Sequence, residues 1–513
     1  MKYDMNTGNL TLTVTELVSL AYPAGDIHHR APSGAYVSRT ARTAFLEAHG
    51  GEEAFTSDAP VSASVERPDT EGTEIGFSAD DTPHSYHILL SDQIDGIVTE
   101  NKDCPRIYHL LPDAGYDAGG SFRSRERAAH RVKAALYCIA NGCSGAELSA
   151  VTVRREGGLI LCEEEYRTKT DLTESLREIL CAVLPTLDFL VRHRTVTLPK
   201  AGEVCFPYSA MRDGQEDLIR AVYRAIRTRK RLFAQAPTGI GKTISTLYPA
   251  VRALGNGYAD KIFYLTAKAS TRREAFSASE RLFHAGARLR TCVISAKEQV
   301  CLCEKPTDGE DACNPFDCPY ADGYYERAPR AILELLQRHH GFPREAILEA
   351  AREHTVCPYE LSLDLSEKCD IIICDYNYIF DPQVYFRRYF GETRTFDGQY
   401  VFLIDEGHNL ADRARDMYSA SLSRSRFRAV RDEIPEGMTG LRAALSLMDD
   451  TFARLRLLCD DTLQKDASGE ETGFFMSREA PKFLDETLGK VADVLKEARR
   501  TLRGHPYRAA VQG

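Results

Sequence analysis

The residues with the clearest chemical potential form the run Gln235-Ala236-Pro237-Thr238-Gly239-Ile240-Gly241-Lys242-Thr243. An apolar stretch precedes this run and helix-forming residues follow it, an order that predicts a strand, a glycine-bearing loop and a helix. In such a loop the backbone N–H groups point at a phosphate, Lys242 reaches the β- and γ-phosphates, and the Thr243 hydroxyl ligates Mg²⁺. We therefore predict that Ala236 to Thr243 bind ATP, although Ala236 stands where the pattern usually has glycine. An ordinary turn is the alternative.

A second group of reactive side chains follows the apolar run at 400–404, which predicts a buried strand. Asp405 would bind Mg²⁺ through water, and Glu406 would orient and deprotonate the attacking water. His408 would couple hydrolysis to the DNA side. A strand that ends in Asp-Glu is common by itself, but together with the phosphate loop it favours an ATPase of the helicase kind.

Two further segments must position these residues. Gln215 begins a stretch with apolar residues at helical spacing, just ahead of the phosphate loop. A glutamine amide both donates and accepts, so we predict that Gln215 reads the adenine edge, with a surface glutamine as the alternative. The run 261–268 is an apolar strand that ends in a polar turn, which indicates a parallel α/β sheet with ligand-binding loops at its carboxyl edge.

Four of the cysteines between the two motifs are candidate cluster ligands, namely Cys301, Cys313, Cys318 and Cys357. Their spacing is irregular, unlike the paired C-x-x-C knuckles of structural zinc sites. Thiolates that converge from loops and from a helical hairpin at about 326–352 suit a [4Fe-4S] cluster. Zinc and unrelated core cysteines remain alternatives, and Cys303 is a fifth candidate ligand.

Together these motifs resemble the XPD/DinG family of superfamily 2 iron–sulfur DNA helicases. The resemblance rests on QAPTGIGKT, YLTAK, the cysteine segments, CDYNYIFDP at 374–382 and DEGHN at 405–409, with Gly407 where alanine is usual. It favours Cys301 over Cys303 as the first cluster ligand. It implies ATP, Mg²⁺ and a [4Fe-4S] cluster as cofactors, and 5′ to 3′ movement on single-stranded or forked DNA, in repair or replication.

The fold implied is α/β: a P-loop RecA-like parallel sheet with an iron–sulfur insertion and a helical arch-like region. We expect the RecA-like domain at 205–300 and 369–417, the insertion at 301–368 and an incomplete arch at 418–513. The second RecA-like domain, whose arginine finger contributes about 10³–10⁵-fold in related reactions, is not found before Gly513. The resemblance thus implies a C-terminally truncated chain completed by a second chain. A catalytically inactive ATP- and DNA-binding adaptor is the alternative.

Residues 1–200 resemble a RecB-type nuclease of the PD-(D/E)XK group, with its site degenerate. Asp95 matches the first acidic strand, but His109 and Leu111 stand where a carboxylate and a lysine are needed. Since one carboxylate cannot hold a catalytic cation in useful geometry, we predict an inactive nuclease-like α/β domain.

Composition sets the remaining limits. The chain has 513 residues, 43% hydrophobic and 27% charged, with a formal net charge of −10, so DNA binding would depend on local basic clusters. Its fifteen cysteines are not expected to form disulfides. Neither a membrane span nor a signal peptide is evident, and we expect a cytoplasmic protein.

Overall fold

A computed structural model gives the structure of this protein. It describes residues 2–4, 7–21, 25–26, 29–30, 46, 55–65, 87–112, 120–153, 159–237, 239–303, 318–391, 398–434, 437–459, 464–465, 471–474, 476–479 and 481–501. The chain divides into two compact units, of which the first continues to Ala414 and the second begins at Arg415.

The N-terminal part of the first unit is a seven-stranded mixed sheet with helices. Its elements are β1 (Lys2–Asp4), β2 (Asn9–Thr13), α1 (Val14–Ala21), the short pair β3 (Gly25–Asp26) and β4 (His29–Arg30), β5 (Phe55–Val65), β6 (His87–Val98), β7 (Arg106–Pro112), α2 (Gly120–Asn141), β8 (Gly145–Val153), β9 (Leu159–Thr168) and α3 (Lys169–Arg192).

The long strand β6 organises this sheet. It pairs with β5 along one edge, and along the other edge with β2 and then with β7. Apolar residues of β2, β6, α1, α2 and α3 form one core, which buries side chains such as Leu90 and Leu172. Helix α3 begins with a capping box in which Thr168 and Asp171 exchange hydrogen bonds, so its start is defined locally.

The rest of the first unit is built on a five-stranded sheet. Its elements are a π-helical turn (His193–Thr197), α4 (Leu198–Gly202), α5 (Gln215–Arg227), α6 (Lys242–Gly255), β10 (Lys261–Leu265), α7 (Ala269–Leu282), a kinked turn (Phe283–Ala287), β11 (Thr291–Val293), α8 (Lys297–Val300), α9 (Tyr324–Arg338), β12 (Gly341–Phe342), α10 (Arg344–His354), α11 (Pro358–Ser366), β13 (Ile371–Cys374), α12 (Asn377–Phe380), α13 (Arg387–Phe390), β14 (Tyr400–Ile404) and α14 (Leu410–Met417).

All five strands run parallel, in the order β12-β11-β13-β10-β14. The central strands β10 and β13 are buried throughout, which explains their apolar runs IFYL and IIIC. The predicted α/β class and parallel sheet are confirmed. Because the strands are parallel, the loops after Leu265 and Ile404 emerge at the same edge of the sheet.

Two predictions about this sheet are wrong. The segment before the phosphate loop, 230–237, has no regular structure, and Phe233 within it is 94% exposed. Strand β14 is present, but it is an edge strand in which Phe402 and Ile404 remain exposed, so the predicted full burial is not found. A strand requires a paired neighbour, and no strand of the described chain pairs with 230–237 or with the free edge of β14.

The second unit is mainly helical. It contains α15 (Arg424–Glu433), α16 (Thr439–Leu457), the short pair β15 (Gln464–Lys465) and β16 (Glu471–Thr472), and α17 (Lys482–Thr501). These helices lie within 418–513, where a helical region was expected. Asp449 accepts hydrogen bonds from Arg424 and Arg428, which ties α16 to α15. Among the described residues, no helix combines the length and apolar character needed to cross a bilayer.

Candidate nucleotide-hydrolysis site

The phosphate loop leads directly into α6. Gly239 and Gly241 adopt φ values of +85° and +83°, in the left-handed region that favours glycine. A Cβ atom on Gly241 would lie 2.7 Å from the Gln215 side-chain nitrogen, so a side chain there is both strained and obstructed. Lys242 follows as the first residue of the helix, where free N–H groups favour an anion. The predicted ligand Thr238 lies outside the described residues.

Gln215 lies beside this loop with an environment different from the one predicted. Its amide oxygen accepts a hydrogen bond from the Arg212 backbone N–H at 2.7 Å, and its amide nitrogen donates to Ile240 O at 2.6 Å. Only 4% of the residue is exposed. In this state the Gln215 amide holds the phosphate loop in place. Gln215 would have to give up these two hydrogen bonds before its amide could recognise adenine.

Tertiary structure brings the two motifs together. Strand β14 pairs in register with β10, and the Asp405 N–H donates to Leu265 O at 3.0 Å. As a result the Lys242 Nζ atom lies 3.5 Å from Glu406 Oε1. The Thr243 hydroxyl donates to Glu274 Oε1 at 3.5 Å, a carboxylate that sequence reasoning missed and that no motif marked.

The carboxylates are only partly shielded from water. Burial raises the pKa of Asp405, and the neighbouring charge of Glu406 raises it further. Glu406 has φ of +49°, a strained conformation for a residue with a side chain and one that recurs at functional sites. His408, which was predicted to couple hydrolysis to the DNA side, is exposed. Its Nδ1 atom lies 3.4 Å from Glu406 Oε2. The Thr243 hydroxyl and the Asp405 carboxylate are oxygen donors of the kind that suits Mg²⁺.

The cysteine region is described in part. Cys313 lies outside the described residues, whereas Cys318 and Cys357 are buried, and Cys301 and Cys303 are half-buried. Burial raises the pKa of the Cys318 thiol. This thiol forms a side-chain hydrogen bond with Cys303, the fifth candidate ligand of the sequence analysis.

Arg327 links the segments around these thiols. Its guanidinium donates to Pro319 O at 3.1 Å and to Thr355 O at 2.9 Å, and so joins the turn after Cys318 to the turn before Cys357. Arg327 thus ties together the segments that carry two of the predicted thiol ligands, and thiolates are the donors that an iron–sulfur cluster takes.

The N-terminal sheet region contains more buried charge than the sequence predicted. His109 Nδ1 lies 3.2 Å from Asp95 Oδ2, and its Nε2 lies 3.0 Å from Glu126 Oε2. All three side chains are largely buried, and Lys133 on the same helix as Glu126 lies 3.7 Å from Asp92. The prediction of a single carboxylate is therefore wrong, because Glu126 of α2 supplies a second one. The imidazole lies between the two carboxylates.

Comparison with known proteins supports the helicase interpretation. Residues 272–427 match the family model DEAD_2. The chain is 23% identical over 236 residues to the yeast (Saccharomyces cerevisiae) "General transcription and DNA repair factor IIH helicase subunit XPD/RAD3", covering 40% of this chain and 30% of that protein. It is 25% identical over 287 residues to human (Homo sapiens) "Regulator of telomere elongation helicase 1", covering 54% of this chain and 22% of that protein.

A shorter match, 29% identical over 120 residues, is to the "Fanconi anemia group J protein homolog" of Gallus gallus, with 23% and 9% of the two chains covered. A solved "XPD_Helicase" covers 57% of this chain and 48% of its own, with 20% identity and a TM-score of 0.35, too low to establish a shared overall arrangement. The chain thus spans less than a third of the length of these curated relatives. By the DEAD_2 match and these relatives, the chain is similar to XPD-like superfamily 2 helicases.

Proposed function

We propose that this chain is the nucleotide-binding part of an ATP-dependent DNA helicase and that it hydrolyses ATP at the site formed by the phosphate loop, Asp405 and Glu406. The observation that carries the proposal is the 3.5 Å contact between Lys242 Nζ and Glu406 Oε1. This contact unites the amine suited to phosphate with the carboxylate suited to water activation, although the two residues are far apart in sequence.

Each side chain has a separate task in this proposal. Bound Mg²⁺ supplies charge neutralisation of the phosphates. Thr243 and Asp405 would hold the cation, and Lys242 would hold the phosphate oxygens. Glu406 would orient water and accept its proton, and the nearby His408 would sense the DNA side.

The DNA-related part of the proposal rests on the relatives and on the cysteine region. The names of the relatives refer to DNA repair and telomere elongation. We propose that this chain also acts on single-stranded or forked DNA, with 5′ to 3′ polarity, in repair or replication in the cytoplasm. A [4Fe-4S] cluster on Cys318, Cys357, Cys313 and one of Cys301 or Cys303 belongs to the same proposal.

The exposure of this site to water supports a further part of the proposal. The side chains of Lys242 and Glu406 are 35% and 43% exposed, more than a water-excluding hydrolysis site allows. We propose that a second RecA-like domain, contributed by another chain or segment, covers them.

The irregular, exposed segment 230–237 favours a second candidate function, an adaptor that binds nucleotide without turnover.

The test is ATP hydrolysis by the purified chain with and without single-stranded DNA. Glu406→Gln should lower kcat by about 10²–10⁴-fold, because it removes the base. Its nucleotide affinity should change by less than about threefold, since the phosphate-binding groups remain. The exposed Glu216, paired with Arg220, provides the control Glu216→Gln.

The outcomes separate the candidates. DNA-stimulated turnover that Lys242→Ala abolishes supports the helicase motor. Nucleotide binding without turnover, with or without DNA, supports the adaptor. A chain that binds no nucleotide contradicts both functions.

A further inference from the structure

A cavity of about 370 Å³ lies at the edge of the parallel sheet opposite the phosphate loop. Its lining residues Arg290 and His340 directly precede β11 and β12, so they lie at the amino ends of these strands. The nucleotide loop and Asp405 instead lie at the carboxyl ends. The two sites therefore lie at opposite ends of the parallel strands.

The cavity lining is strongly basic. No aspartate or glutamate occurs among its described lining residues, whereas side chains that carry or can acquire positive charge come from α3, α4, the turn before β11 and the end of α9. Those that matter for the argument are His193, Lys200, Arg288, Arg290, Arg338 and His339.

Two of the arginines are held by aromatic rings. The Arg290 Cζ atom lies 4.2 Å from the centroid of Phe189, and the Arg288 Cζ atom lies 5.0 Å from the centroid of Phe283. A cation–π contact orients a guanidinium without cancelling its charge. Both arginines therefore remain able to bind an anion. Arg338 is different, because Glu334 and Glu353 lie within 3.1 Å of it and neutralise it.

His193 provides an independent observation. Its Nε2 lies 2.7 Å from Asp370 Oδ1, and Asp370 also accepts a hydrogen bond from the Arg290 N–H at 2.8 Å. The other ring nitrogen, Nδ1, is buried and has no hydrogen-bond partner among the described residues. A buried polar atom without a partner is costly. Because Nε2 donates to the Asp370 carboxylate, Nδ1 donates to an anion when the imidazole is doubly protonated.

We propose that this cavity binds a small anion with two or more phosphate groups. Its volume lies in the range of small-molecule sites, about 300–1,000 Å³, and exceeds what one phosphate needs. Arg288 and Arg290 lie on the segment before β11 and Lys200 lies on α4, so they can contact phosphate groups at different positions. Guanidinium groups are well suited to phosphate because they donate two parallel hydrogen bonds.

The test uses inorganic tripolyphosphate as the probe and isothermal titration calorimetry as the readout. The protein is the full chain with Lys242→Ala, which weakens phosphate binding at the nucleotide loop. Into this background we introduce Lys200→Glu with Arg288→Glu. The matched control is Arg177→Glu with Arg220→Glu, two exposed arginines that do not line the cavity. Circular dichroism and thermal unfolding check that each variant is folded.

The cavity variant should bind tripolyphosphate at least about tenfold more weakly, and the control should bind within about twofold of the parent. Equal loss in both variants, or no binding by the parent, overturns the proposal. A third arm titrates a single-stranded oligonucleotide. If the cavity variant loses oligonucleotide affinity while the parent binds no tripolyphosphate, the surface contacts a nucleic-acid backbone and the small-anion proposal is wrong.

Discussion

The buried Asp95–His109–Glu126 triad gives the sharpest prediction, through the substitution His109→Gln. The imidazole contacts both carboxylates, at 3.2 Å and 3.0 Å, so glutamine would leave two buried carboxylates without their shared cation. Burial by itself would raise the pKa of Asp95, but the hydrogen bond and charge of His109, with Lys133, lower it from 3.8 to about 2.

The pKa shift sets the magnitude. A difference of nearly two units corresponds to about 2 kcal/mol from Asp95 alone, and loss of one partner from a buried ion pair costs about 3–5 kcal/mol. We therefore expect His109→Gln to lower the local free energy of unfolding by about 3 kcal/mol at pH 7.

The pH dependence has a defined sign. Burial lowers the pKa of His109, but Asp95 and Glu126 raise it by more, so its contribution is complete below the unfolded value of about 6.5 and is lost as pH rises through the folded pKa. The Asp95 contribution is present above about 4 and is lost as pH falls through about 2. In the His109→Gln variant the uncompensated carboxylates reverse the upper trend, and stability should rise as pH falls from 7.

Hydrogen exchange of peptides from β6, β7 and α2, corrected for intrinsic rates, measures this local stability. The control is His87→Gln, which changes an exposed histidine on β6 and should cost less than about 0.5 kcal/mol. If His109→Gln costs less than about 1 kcal/mol, or retains the wild-type pH trend, the charged triad is refuted.

Two other predictions concern the nucleotide and cysteine regions. Gly241→Ala should weaken nucleotide binding at least about tenfold in a fluorescent-nucleotide titration, because its Cβ would meet the amide of Gln215 and require a strained positive φ. Unchanged affinity would show that the loop adapts. Cys303→Ser should lower bound iron and visible absorbance more than Cys301→Ser, because Cys303 contacts Cys318. The reverse order would restore Cys301 as the ligand.

Local sequence was sufficient for several elements. The glycine spacing predicted the turn into α6, because positive φ at Gly239 and Gly241 depends on the absence of Cβ and needs no tertiary context. The apolar run of β10 predicted a parallel sheet, because strands buried on both faces tolerate few polar residues. These two features were enough to predict that Lys242 and Asp405 lie near each other.

Tertiary structure decided what depends on a partner. The segment 230–237 had an apolar pattern but no paired neighbour, and β14 lacked a cover on its free edge. The contacts of His109 with Glu126, and of Cys303 with Cys318, join residues whose spacing matches no motif. The basic cavity likewise assembles side chains from several elements. The sequence by itself therefore determined the phosphate loop, whose conformation depends on local backbone geometry. The pairing of charges and the exposure of the edge strand were decided only by which distant segments pack together.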